Sequence, residues 1–307
     1  MTRPDLATGS RHRPVPHLPV RQAGRMHPAH GSDRPHDIWP PGEVGQVTGM
    51  YLDLVDEAAP GLVEGLYLRG SLGFGEWYDG RSDVDFAAVT AERPTQQQLR
   101  VLWDVHVRVG ETFTRPPFDG FYVTWADLAR PSYDCPDVAC ILAGDWRDEG
   151  HFDVCPVSWH ELAWHGVHVR GPRLEDVEIW TDRQALMAYS HRNLAEYWAP
   201  SLEQLKAAVP DRLDEFEPWI VPWFVTGVPR LHHVLATGRL TSKDGAAHHA
   251  VAVFGERWRP LVAEALAYRA TGELTAAYDG DTARLAADVV EFSSLALDAG
   301  LALDPRT

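Results

Sequence analysis

The chain has 307 residues, 45% of them hydrophobic, and a formal charge of −16, enough to bury the cores of one large or two ordinary domains. That acidity argues against nucleic acid as the main partner, because phosphate binding needs a basic surface, and it suits a small cationic substrate. No apolar run approaches the roughly eighteen residues of a membrane span, and no apolar segment follows the N-terminal arginines, so the chain reads as a cytoplasmic protein without a signal peptide.

The first 38 residues are Pro, His, Arg and Gly with few apolar anchors, and are expected to form a disordered tail. Its histidines (His12, His17, His27, His30, His36) could form a metal-binding tract, but a loose tail is the simpler reading. Val47, Met50, Tyr51, Leu54 and Val55 then recur at helical spacing. Short strands are expected at Leu66–Leu68 and Val84–Val89, a helix over Thr95–Val107 beside Pro94, and a third strand at Phe121–Thr124. The run from Trp159 to Pro172 reads as a helix feeding a short strand that ends in Gly-Pro. Beyond Pro172 the pattern turns helical, with Leu285, Val289, Phe292 and Ala296 spaced for one buried face. Cys135, Cys140 and Cys155 are odd in number, lack paired spacing and read as reduced thiols.

The most informative stretch joins the first two strands. Gly70-Ser71 is followed by eleven residues and then by Asp83-Val84-Asp85. Side chains two apart on a strand share a face, so Asp83 and Asp85 project together toward whatever the Gly-Ser turn faces. Two hard oxygen donors at that spacing suit Mg²⁺, which is held by one or two carboxylates together with substrate phosphates. The turn offers amides and a hydroxyl to the same phosphates.

On these residues the chain resembles the nucleotidyltransferase superfamily, and within it the aminoglycoside adenylyltransferases that act on streptomycin and spectinomycin, with their actinobacterial relatives. The resemblance runs from about Pro40 to about Arg269. It implies an α/β (α+β) catalytic domain with a small mixed sheet over residues 39–172, then an all-helical bundle domain over residues 173–307. The implied activity is transfer of AMP from ATP to a hydroxyl of a small polar, aminoglycoside-like acceptor, with Mg²⁺ and release of pyrophosphate. Such an enzyme would be a monomer and would confer antibiotic resistance. Two other readings stand beside it: a protein side chain as acceptor, as in antitoxin-like relatives, and a nucleotide-binding module that no longer catalyses.

By resemblance, Asp83 and Asp85 are the metal ligands, Gly70 shapes the turn, and Ser71 binds triphosphate. Ser82 sits where relatives supply another phosphate contact, although a turn-capping serine fits as well. Relatives carry an arginine, an apolar helix, Thr-Gly and a lysine in the order seen from Arg230 through Thr237-Gly238 to Lys243. Arg230 and Lys243 would then reach the ATP phosphates from the helical domain. Lys206 and Lys243 are the only lysines. Pro229 is tolerable only where a helix starts or kinks.

The resemblance also requires a third carboxylate, as general base or as a further metal ligand, close to the first pair. Alignment on Val123-Thr124 puts Tyr122 at that place, and Asp119 is the nearest acid. Trp146, Asp145, Glu217 and Trp219 are candidates for holding the acceptor, while an acid expected ten residues before the arginine falls on Ile220. Tyr268 could stack on adenine or pack in the core.

Overall fold

The structure is a computed structural model and describes residues 42–209 and 213–306. The expected N-terminal tail and its histidines lie outside the described residues. Helix α1 (Gly42–Ala58) buries the expected stripe of Val47, Tyr51, Leu54 and Val55. Strand β1 (Gly65–Leu68) follows, then β2 (Val84–Thr90). Thr95 and Gln98 form a reciprocal capping box that starts α2 (Gln96–Thr112), which ends five residues later than the pattern suggests. Strand β3 (Phe118–Thr124) begins three residues earlier than expected and leads into the single turn α3 (Trp125–Leu128).

A hairpin that the pattern did not indicate comes next, β4 (Val138–Leu142) and β5 (Asp145–Gly150). Helix α4 (Pro156–His165) has proline in its first turn, where the missing N–H costs nothing, and feeds β6 (Val167–Arg170). The six strands form one mixed sheet in the order β5-β4-β3-β2-β1-β6. Only β2 and β3 are parallel, joined by the α2 crossover; the other pairs are antiparallel.

Strand alternation gives the sheet two buried faces. Leu66, Leu68, Val84, Phe86, Ala88, Phe118 and Tyr122 pack against α1 and α2. Tyr67, Ala87, Val89, Phe121 and Val123 pack on the other face with Leu128, Trp159 and Leu162. Cys135, Cys140 and Cys155 are free thiols.

The remaining elements are helical: α5 (Arg183–Asn193), a π-helical turn at Leu194–Trp198, α6 (Ala199–Ala208), α7 (Ile220–Thr237), α8 (Lys243–Phe254), α9 (Arg259–Thr271) and α10 (Thr282–Leu301). They share a third core in which Phe224, Val225 and Val228 of α7 meet Leu285, Val289, Phe292 and Ala296 of α10. Pro229 lies inside α7 rather than at its start, and the helix ends at Gly238 in the left-handed conformation. Among the described residues no helix is long and apolar enough to cross a membrane.

Candidate active site

The site is built on the edge where β1 passes into the Gly-Ser turn. The Arg69 N–H donates to the Asp85 carbonyl at 2.9 Å, extending the β1–β2 ladder by one residue. Residues opposite one another in an antiparallel pair share a face, so Arg69 and Asp85 both stand on the face of Tyr67 and Phe121. Gly70 has φ +62°, and a Cβ there would lie 2.2 Å from Asp85 Oδ2. Both the backbone conformation and the closeness of the carboxylate therefore demand glycine. Replacing Gly70 with Ala is expected to cost about 1–2 kcal/mol of stability and to displace Asp85. Thermal melts of the variant check the loss.

Beyond Gly70 the chain coils tightly, with the Glu76 N–H bonded to the Ser71 carbonyl at 2.9 Å. Ser82 closes the far end of the loop, its Oγ accepting the Tyr78 N–H at 2.9 Å. The turn-capping reading of Ser82 is thus the contact observed.

Asp85 stands in an unusual electrostatic setting. Arg69 is buried at 4% exposure and pairs with Asp153 and, at 3.3 Å, with Glu161. Its guanidinium lies 5.3 Å from the Phe121 ring centroid, and its buried Nε has no hydrogen-bond partner. Burial pushes the Asp85 carboxyl up to about 7; Arg69 opposes the rise, while Asp153 and Glu161 add to it. Three carboxylates around one guanidinium leave this corner short of positive charge, which fits a divalent cation. Among the described residues no group of three or more His, Cys, Asp or Glu is placed to hold a metal alone. Asp83 and Asp85 therefore offer a pair of oxygen ligands that phosphate and water would have to complete, as Mg²⁺ prefers.

The helical half supplies cations to the same place. Ser242 caps α8, its Oγ accepting the Gly245 N–H at 2.8 Å, and Lys243 is the first helical residue. Burial and the neighbouring Arg230 and Arg269 lower the Lys243 ammonium to about 8, and Asp85 and Asp83 oppose the fall. Its side chain nevertheless remains reachable from solvent. The structure thus brings Lys243 within electrostatic range of Arg230, Asp85 and Asp83.

The other expected residues are distributed differently. Asp119 pairs in parallel register with Asp85, on the same sheet face, but is only 3% exposed and accepts the Ala143 N–H at 2.8 Å. Tyr122 points to the opposite face, where its hydroxyl meets Tyr51 Oη and His106 Nε2, each at 2.8 Å. Strand alternation therefore puts Tyr122 on the face opposite Asp85 and Asp119.

Trp146 is also on that far face, 5.6 Å from His106 and 5.7 Å from Tyr122 between ring centroids, so the structure does not bring it to Asp85. Trp219 precedes α7 and packs on Trp223, and Glu217 is exposed nearby. Both lie about 15 Å or more from Arg230 along the helix axis. The Tyr268 ring carries the Arg81 guanidinium at 5.1 Å, which occupies a face that adenine would need. Sequence reasoning missed Arg69, Asp153 and Glu161; an arginine directly before Gly70-Ser71 was the one available signal.

The fold is a mixed α/β sheet domain followed by helices. The chain is similar to the solved structure of spectinomycin adenyltransferase AAD(9) from Enterococcus faecialis, crystallised with ATP and spectinomycin. The TM-score is 0.55 at 12% identity, covering 81% of this chain and 98% of that one, a likeness of fold. No family model matches the chain, and no curated protein matches it in sequence.

Proposed function

We propose that the protein is an ATP-dependent nucleotidyltransferase that moves AMP to a hydroxyl of a small polar, cationic acceptor and releases pyrophosphate. The observation that supports this reading is that Lys243 interacts electrostatically with Arg230, Asp83 and Asp85, while Asp85 lies against the Gly70 turn. Cations near a carboxylate pair and an amide-rich turn suit a metal-bound triphosphate. In this reading residues 39–172 are the catalytic domain and residues 173–307 a helical domain that completes the ATP site.

Asp83 and Asp85 would hold Mg²⁺, which when bound neutralises charge on the phosphates and the leaving pyrophosphate. Ser71 and the turn amides orient the triphosphate, and Arg230 and Lys243 bind its non-bridging oxygens. The acceptor oxygen forms a bond to the α-phosphorus as the bond to the bridging oxygen of pyrophosphate breaks. The hydroxyl proton passes to a carboxylate, for which Asp119 and Asp153 are the candidates. An AAD(9)-like acceptor, spectinomycin or a related aminocyclitol, is the first to try.

The test is pyrophosphate release from ATP and Mg²⁺ with a panel of aminocyclitols and aminoglycosides. Acceptor-dependent release supports transfer. ATP binding without release from any acceptor points to a nucleotide-binding module, a reading that the burial of Asp119 favours.

A further inference from the structure

Lys243 sits between two residues that are both tied to the loop carrying Ser71. Ser242 donates its hydroxyl to Glu76 Oε1 at 2.6 Å, and the Asp244 N–H reaches Glu76 Oε2 at 3.3 Å. One carboxylate therefore spans the lysine and fixes the start of α8. Glu76 is itself anchored, since its N–H is bonded to the Ser71 carbonyl. Three hydrogen bonds thus connect the backbone of Ser71 to the residues flanking Lys243.

A second strut runs alongside. The Tyr78 hydroxyl donates to Asp244 Oδ2, and Arg269 Nε donates to Asp244 Oδ1 at 2.8 Å. The Asp244 and Arg269 side chains are 14% and 10% exposed, and the Arg269 guanidinium stands 5.5 Å from the Tyr78 ring centroid. A charge-assisted bond this well shielded holds its geometry more firmly than a surface pair.

We infer that Glu76 is a positioning residue: it sets Lys243 against Ser71 and the Asp83–Asp85 pair, with Tyr78 and Asp244 bracing the same turn. This rests on the reading that Lys243 binds an ATP phosphate. Its consequence is that the phosphate-binding groups of the sheet and helical halves stand assembled before nucleotide arrives. ATP then binds without the cost of ordering a long, flexible lysine turn.

A double-mutant cycle on ATP affinity, measured by calorimetry with Mg²⁺ present, tests it. Lys243→Ala is expected to weaken ATP binding about tenfold or more, and Glu76→Ala about fivefold. If Glu76 acts through the lysine, the double variant binds within about twofold of Lys243→Ala alone. Tyr78→Phe removes one hydroxyl from the second strut and should give a smaller loss, again absent in the Lys243→Ala background; it serves if Glu76→Ala does not fold. Multiplicative losses, or folded Glu76→Ala and Tyr78→Phe proteins with unchanged ATP affinity, would overturn the inference while leaving the role of Lys243 intact. Unchanged affinity in Lys243→Ala would overturn both.

Discussion

Asp85→Asn is expected to weaken Mg²⁺-dependent ATP binding by about 100-fold or more while leaving the protein folded. Loss of an outer contact to a ligand already costs about 10–100-fold in metal affinity, and here a charged ligand is removed. Asp83→Asn should cause a similar loss. The wild-type protein carries a pH signature of its own, because the folded Asp85 carboxyl titrates near 7, above its ordinary range. A raised carboxyl contributes stability that is complete below about pH 4 and is lost as pH rises through 7. In metal-free buffer the wild-type Tm should therefore fall over that interval more than the Asp85→Asn Tm does, and the variant should be the more stable at pH 8. The same proton competes with metal, so wild-type ATP affinity with Mg²⁺ should drop below pH 7. Melts in chelator and titrations at pH 6 and pH 8 check all three effects. Metal-dependent affinity unchanged in both variants would remove this pair from the site.

The Gly70 turn set against Asp85 was legible because it depends on turn chemistry and local strand pairing. Two-residue alternation gives the reason to expect Asp83 and Asp85 on one face. The buried faces of α1 and α10 were legible for the same local reason. The β4–β5 hairpin was not, because β5 is an exposed edge strand of sequence DWRDEG with no apolar alternation. Nor was the path of α7 through Pro229, where burial in the helical core outweighs one lost backbone bond. The Arg69–Asp153–Glu161 cluster joins a strand end, a loop and a helix far apart in sequence. Glu76 and Ser242 are likewise 166 residues apart, and no local pattern signals such a contact. The place of a third acid was not legible, because matching two residues in a short strand leaves its register open, and register alone decides which face a side chain joins.

That register leads to the second large effect, on the proton acceptor. Asp153→Asn is expected to keep ATP binding and to lower the rate of transfer about 100-fold or more, in the range general-base loss commonly produces. Arg69 carries the argument. It runs from the end of β1 across the Phe121 ring on β3 to pair with Asp153, which places that carboxylate above the strand beside Asp85. The Asp153 side chain is 35% exposed, so an acceptor hydroxyl can reach it. Asp119 is nearly closed to solvent and one of its oxygens holds the turn at Ala143, so Asp119→Asn should loosen the β4–β5 hairpin and reduce the rate less than tenfold. Glu161→Gln is the control, since Glu161 also pairs with Arg69 but is buried at 5% exposure. Pyrophosphate release under saturating ATP and acceptor reads the rate, and a melt reads the fold. Equal losses in Asp153→Asn and Glu161→Gln would mean that both merely hold Arg69. A large loss confined to Asp119→Asn would assign the proton to Asp119 and require the turn at Ala143 to open during the reaction.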